Sequence, residues 1–208
     1  MVDVLDQIKP FLIFNSEDNF YFLQLLQRKK ENPHLGSNSR VIKNYYIKSE
    51  GHLVERYPEI KTLCEIFNAR AMLRLRPRSF RKVGVEALKL VAEHIYNDNN
   101  PFIRKAYDRC SGRYSANYNK SWVIDIDGEI PEGYIEEMKA FIEDCKPRGQ
   151  KFLIELPTKN GIHLITRPFQ LDKFRECYPS VDVHKDNPIN LYIPDFNAKS
   201  KNEPHGIL

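Results

Sequence analysis

The second half of the chain keeps two clear periods in its hydrophobic and polar positions. Residues 121–127, 151–157 and 162–169 read as strands, the last two joined by the tight turn TKNG. Between the first two, residues 131–145 repeat at helical spacing behind Pro131. Glu132, Glu136 and Glu137 lie near the start of that segment, where carboxylates suit the positive end of a helix. QLDKFRECY (170–178) reads as a short helix, and SVDVH (180–184) and INLYIP (189–194) read as strands. The predicted order is β-α-β-β-α-β, the split βαβ arrangement. The tail over 195–208 reads as a loose segment.

The first half predicts a mixture. In DNFYFLQLLQRKKENP (18–33), Phe20, Leu23, Leu26 and Gln27 recur at helical spacing and Pro33 ends the run, which predicts an amphipathic helix. LGSNSR (35–40) is a loop, and residues 41–49 alternate like a strand. A second helix is predicted over 58–69 and a third over 83–97, followed by a break at 98–102. Between those helices, RAMLRLR alternates strictly, with Arg70, Met72, Arg74 and Arg76 against Ala71, Leu73 and Leu75. The fold class expected is α+β. An N-terminal α/β module over 1–115 would pack on an RNA-recognition-like (RRM-like) antiparallel sheet over 116–208.

Composition narrows this little. With 208 residues, 41% hydrophobic and 12% aromatic, the chain suits one sizeable core or two modules sharing one. No run reaches membrane-spanning length, and the first residues lack the basic region and apolar core of a secretory signal. Cys64, Cys110, Cys145 and Cys177 are far apart, with no CxxC pair, as expected of reduced thiols in a cytoplasm. The net charge of +4 says less than where the charges lie.

The stretch KSWVIDIDGEI carries the most informative charges. Asp125 and Asp127 are two apart, so alternation places both carboxylates on one strand face. Like charges there repel, so either a divalent cation lies between them or the strand is ending, exposed, at the Gly128 turn. By the same alternation, His163 faces away from Ile162 and Leu164, and Asp182 shares a face with His184. Gly161, before His163, would leave room for a phosphate to reach main-chain N–H groups. Three acids on one sheet face offer the hard oxygen ligands that Mg²⁺ or Mn²⁺ prefer, and His163 would hold a triphosphate.

The DxD strand (IDID), the small-x-His element (GIH) and the hydrophobic-Asp element (VD), in that order on a β-α-β-β-α-β unit, resemble the three motifs of the archaeo-eukaryotic primase superfamily. The resemblance covers roughly residues 65 to 195 and is closest to the small, stand-alone, phage-type members. It implies that Asp125 and Asp127 hold two Mg²⁺ or Mn²⁺ ions, with Asp182 as third acid and His163 as a nucleotide-phosphate contact. The third motif also offers Asp186 and Asp195; strand alternation selects Asp182. The implied activity is that of a metal-dependent nucleotidyltransferase, a DNA primase or primase-polymerase making or extending primers on single-stranded DNA from nucleoside triphosphates. It would work in the cytoplasm of a bacterial or phage-infected cell, with any replicative helicase supplied by a separate chain.

The basic residues fit that reading. Arg74 and Arg76 share a strand face, and with Arg70, Arg78, Arg81 and Lys82 they form a cluster suited to a phosphate backbone. Arg28, Lys29 and Lys30 make a second patch. Tyr114, Tyr118, Lys120 and, for the nucleotide, Lys159 are further candidates. Two other functions compete. VIDIDGEI followed by a strand ending at Thr158 resembles the first two motifs of a haloacid-dehalogenase-like phosphatase, in which Asp125 would be the nucleophile. That reading requires residues 121–127 and 152–156 to be neighbouring parallel strands. The third candidate is a non-catalytic nucleic-acid-binding module built on the same sheet.

Overall fold

Residues 18–33 fold against the helical expectation. In the computed structural model, which describes residues 1–36 and 39–196, the segment forms a ten-residue strand, β2 (Asn19–Arg28). Tyr21, Leu23 and Leu25 face one way and join a core with Val4, Ile8, Leu53, Ile60 and Cys64. Phe20 and Phe22 face the other way, against Val83, Ala87 and Cys110. A strand covered on both faces reads as a near-continuous apolar run, and such a run contains helical spacings by accident. The aromatic content is the better guide, since rings suit the pleated surface.

β2 lies between β3 (Ser39–Ile47) and β4 (Arg70–Arg74). Two strands from opposite ends of the chain, β1 (Val2–Asp3) and β10 (Pro188–Ile193), complete the row in the order β1-β10-β4-β2-β3. The short β5 (Arg78–Ser79) adds to β2. Every pairing in this sheet is antiparallel. The leading module is therefore α+β rather than α/β.

Helix α1 (Leu5–Ile8) and helix α2 (Glu50–Phe67) cover one face of this sheet. α2 begins eight residues before the expected start because the Ser49 hydroxyl caps it, accepting from the His52 N–H at 3.0 Å. Leu53 and Tyr57 then extend the buried stripe of Ile60 and Cys64 through Pro58. Asn68, in the left-handed region at φ 47°, ends it. α3 (Phe80–Tyr96), capped by Ser79, and α4 (Ala106–Arg113) cover Phe20 and Phe22 on the other face.

The remaining elements are β6 (Trp122–Asp127), α5 (Tyr134–Asp144), β7 (Phe152–Pro157), β8 (Gly161–Thr166), α6 (Leu171–Cys177) and β9 (Asp182–His184). They form a second antiparallel sheet in the order β7-β8-β6-β9. α5 starts at Tyr134 behind Gly133, whose φ of 79° turns the chain into the helix, so Pro131 lies ahead of it. Ile124, Ile126 and Leu164 pack against Ile135, Met138 and Ile142 of α5 and Phe174 of α6. Val123, Leu156 and Ile165, on the opposite face, join the core of the first sheet. The strands flanking β6 are β8 and β9, both antiparallel to it, so the parallel β6–β7 neighbours of a doubly wound sheet do not occur.

The expected boundary at residue 115 does not divide the chain in two, because β10 returns to the first sheet and pairs with β4 and β1. The four cysteines are free thiols, three buried and Cys177 exposed. No helix among the described residues is long and apolar enough to cross a membrane. Residues 37 and 38 of the expected loop, and 197–208 of the expected tail, lie outside the described residues.

Candidate active site

The pattern of β6 places its polar residues where the helices are not. Ile124 and Ile126 point into the α5–α6 core, so Asp125 and Asp127 point the other way. Register then decides their neighbours. Asp125 stands directly across from His163 on β8 and from Asp182 on β9, and Asp127 across from Gly161. Directly opposed residues carry their side chains on the same face, about 5 Å apart at Cβ. Three residues chosen from the sequence thus stand in one row across three strands, with Asp127 two positions along.

His163 is 8% exposed, and its Nε2–H donates to Asp125 Oδ1 at 3.2 Å. That hydrogen bond holds the Asp125 carboxyl below its ordinary range, against the burial that raises it. The charges of His163 and His184 add to the lowering. His184 pairs with Val123, so it lies on the acid face beside Asp182; sequence alternation already placed it there, yet it was not among the expected site residues. Arg70, one of the basic residues of the alternating run, was not expected beside the acids. It is buried and ion-paired to Glu31, and it feels the Asp127 charge across the gap between the sheets. Its place at the head of the alternating RAMLRLR run was the available signal.

Gly161 has a packing reason of its own. A Cβ there would fall 2.0 Å from the Ile126 carbonyl oxygen, so only glycine lets β8 approach β6. The adjoining turn is closed by Thr158 N–H donating to Gly161 O at 2.9 Å. Lys159 is exposed in that turn, its ammonium 5.1 Å from the centre of the Phe196 ring.

The arginines differ from expectation. Arg78 is wholly buried: it donates to Asp186 Oδ2 at 3.0 Å and to Ser111 O at 3.0 Å, and also to Arg76 O. Burial pushes its guanidinium down to about 10, so it stays protonated at neutral pH. In this position it cannot touch a nucleic acid. Arg74 donates to Asp186 O and Arg76 to Ala116 O at 2.8 Å, and both are half-buried. The cluster braces the strand rather than presenting a free cationic face. It also engages Asp186, one of the alternative third acids, while Asp195 follows β10 of the other sheet. Only Asp182 of the three stands in the row.

Among the described residues, no group of three or more His, Cys, Asp or Glu side chains is arranged to hold a metal ion. The donor chemistry nevertheless suits a hard cation. Asp127 and Asp182 are exposed carboxylates on the face of Asp125, whose second oxygen is not used by His163. The fold and site define an α+β chain with an acidic, histidine-buttressed row on an antiparallel sheet. No family model matches the chain, and neither the curated proteins nor the solved structures supply a match.

Proposed function

We propose that this chain is a metal-dependent nucleotidyltransferase of the primase-polymerase kind, making or extending a primer on single-stranded DNA. The observation that carries the reading is the cross-strand row His163–Asp125–Asp182, with Asp127 on the same face. It stands on an antiparallel sheet in the order β7-β8-β6-β9, and the β-α-β-β-α-β chain order of its elements supports this reading. Asp125, Asp127 and Asp182 would hold the divalent ions, Mg²⁺ or Mn²⁺. When bound, such ions activate the attacking hydroxyl and stabilise the leaving pyrophosphate. His163 orients Asp125 through its Nε2–H; a nucleotide phosphate reaching His163 would share the imidazole with that carboxylate. The phosphatase alternative finds no support in the sheet, since β6 has no parallel neighbour.

The test is incubation with single-stranded DNA, all nucleoside triphosphates and Mn²⁺, with products sized on a gel. Asp125→Asn and Asp127→Asn are expected to lose incorporation by roughly three orders of magnitude or more, because electrostatic stabilisation is removed. His163→Ala should raise the nucleotide KM and lower turnover while Mn²⁺ binding survives. Parental rates from either asparagine variant would exclude the proposal.

A further inference from the structure

A groove of about 1070 Å³ lies away from the acid row. It runs along β3, beside the Gln24 side chain of β2, under the 100–105 turn and the start of α4. Its charges are one-sided. Arg40, Lys43, Lys105 and Arg109 line it, against a single acid, Asp108, whose carboxylate accepts the Tyr46 hydroxyl. Lys43 is paired with Glu59 outside the groove, whereas Arg40, Lys105 and Arg109 have no carboxylate partner among the described residues. Phe102, half exposed, overhangs the same space, and Tyr46 lines its wall. Three uncompensated cations beside an exposed ring suit a strand of phosphates carrying unstacked bases, which tracks a basic groove and stacks on aromatic faces. An acidic peptide would use the cations and leave Phe102 idle.

One sheet face leads from the groove toward the acid site. Gln24 lines it and donates to Asn44 at 3.0 Å. The same row continues on one sheet face through Met72 of β4 to Asn190 of β10. Arg70, two residues from Met72 on that face, feels the charge of Asp127. We infer that a single strand of nucleic acid lies in this groove and crosses that face toward Asp125 and Asp127. The inference rests on the proposed function for calling this strand a template; binding itself does not depend on it.

Fluorescence anisotropy of a short labelled oligothymidylate, across a salt series, tests it. The parent should bind. The triple variant Arg40→Ala/Lys105→Ala/Arg109→Ala should weaken binding at low salt about tenfold or more and lower the log–log salt slope by about 2. Phe102→Ala should weaken it about fivefold with the slope unchanged. All four side chains are exposed, so the variants should melt with the parent; if the triple variant melts early, the three single variants carry the test. Unchanged binding by the basic variants overturns the inference. So does a silent Phe102→Ala together with equal competition by polyglutamate, which would mark an acidic protein segment as the occupant. Asp125→Asn should bind like the parent. If that variant still makes primer, the catalytic reading fails and the groove stands; if binding ignores the groove variants while Asp125→Asn is inactive, the reverse holds.

Discussion

Removing the carboxylate of Asp186 would leave the Arg78 guanidinium charged where water does not reach. The Arg78 side chain is 0% exposed and that of Asp186 23%. Breaking a buried ion pair from one side costs about 3–5 kcal/mol, because the remaining charge is uncompensated. Two features place this pair near the lower figure: Asp186 is partly hydrated, and the guanidinium keeps the carbonyls of Ser111 and Arg76. Asp186→Ala should therefore cost about 3 kcal/mol, which lowers the melting temperature by about 6–12 °C for a chain of this size. Asp186→Asn retains an acceptor and should cost about half as much. Pairing Arg78→Met with Asp186→Leu should recover most of the loss, since an apolar pair needs no compensation. Calorimetric melts with a full double-mutant cycle measure this. An Asp186→Ala melting point within about 2 °C of the parent, less than 1 kcal/mol shifts, would refute the reasoning. The same series separates the two acids: folded Asp186→Asn should keep Mn²⁺ affinity, whereas Asp182→Asn should lose it and melt near the parent.

The Asp125 carboxyl is held below its ordinary value of 3.8, so the folded chain binds fewer protons there than the unfolded one. Its contribution to stability is complete above that value and disappears as pH falls through the lower folded one. Urea unfolding of the parent and Asp125→Asn should show a parental advantage at neutral pH that narrows below about pH 4; an advantage constant to lower pH would remove His163 as the cause. Relief of repulsion is thus not the leading effect at Asp125, contrary to what the DxD spacing alone suggests. Gly161→Ala must push Ile126 O away, and it should cost about 3 kcal/mol or prevent folding, read from thermal melts. A melt within about 1 °C of the parent would mean that the two strands yield freely.

What could be read from the residues depends on how each element is covered. β6, β8 and β9 pack helices on one face only, so their alternation survives in the sequence, and it brought Asp125, Asp127, His163 and Asp182 to the correct face. β2 is covered on both faces and lost its period. β10 was legible as a strand, but nothing in INLYI says which sheet it joins; Ile189 finds Leu73 more than a hundred residues back in the chain. The arginines misled for the same reason. Alternating Arg74, Arg76 and Arg78 look like a cationic face until their partners, Asp186 and the carbonyls of Ser111 and Ala116, are known. Short-range period reveals which side a residue faces; it does not reveal what waits there.

The return of β10 also sets an order in time. The strand fits between β1 and β4, so the first sheet lacks an inner member until nearly all of the described chain has been made. Arg74 and Asp186, which lock β4 to the approach of β10, are 112 residues apart. At ~5–20 residues per second on a ribosome, that is an interval of about 6–22 s during which the backbone edge of β4 stays unpaired. An open edge is a template for another chain. The β6–β9 unit, whose strands pair only with one another among the described residues, emerges during that wait and can fold ahead of the sheet that encloses it in sequence.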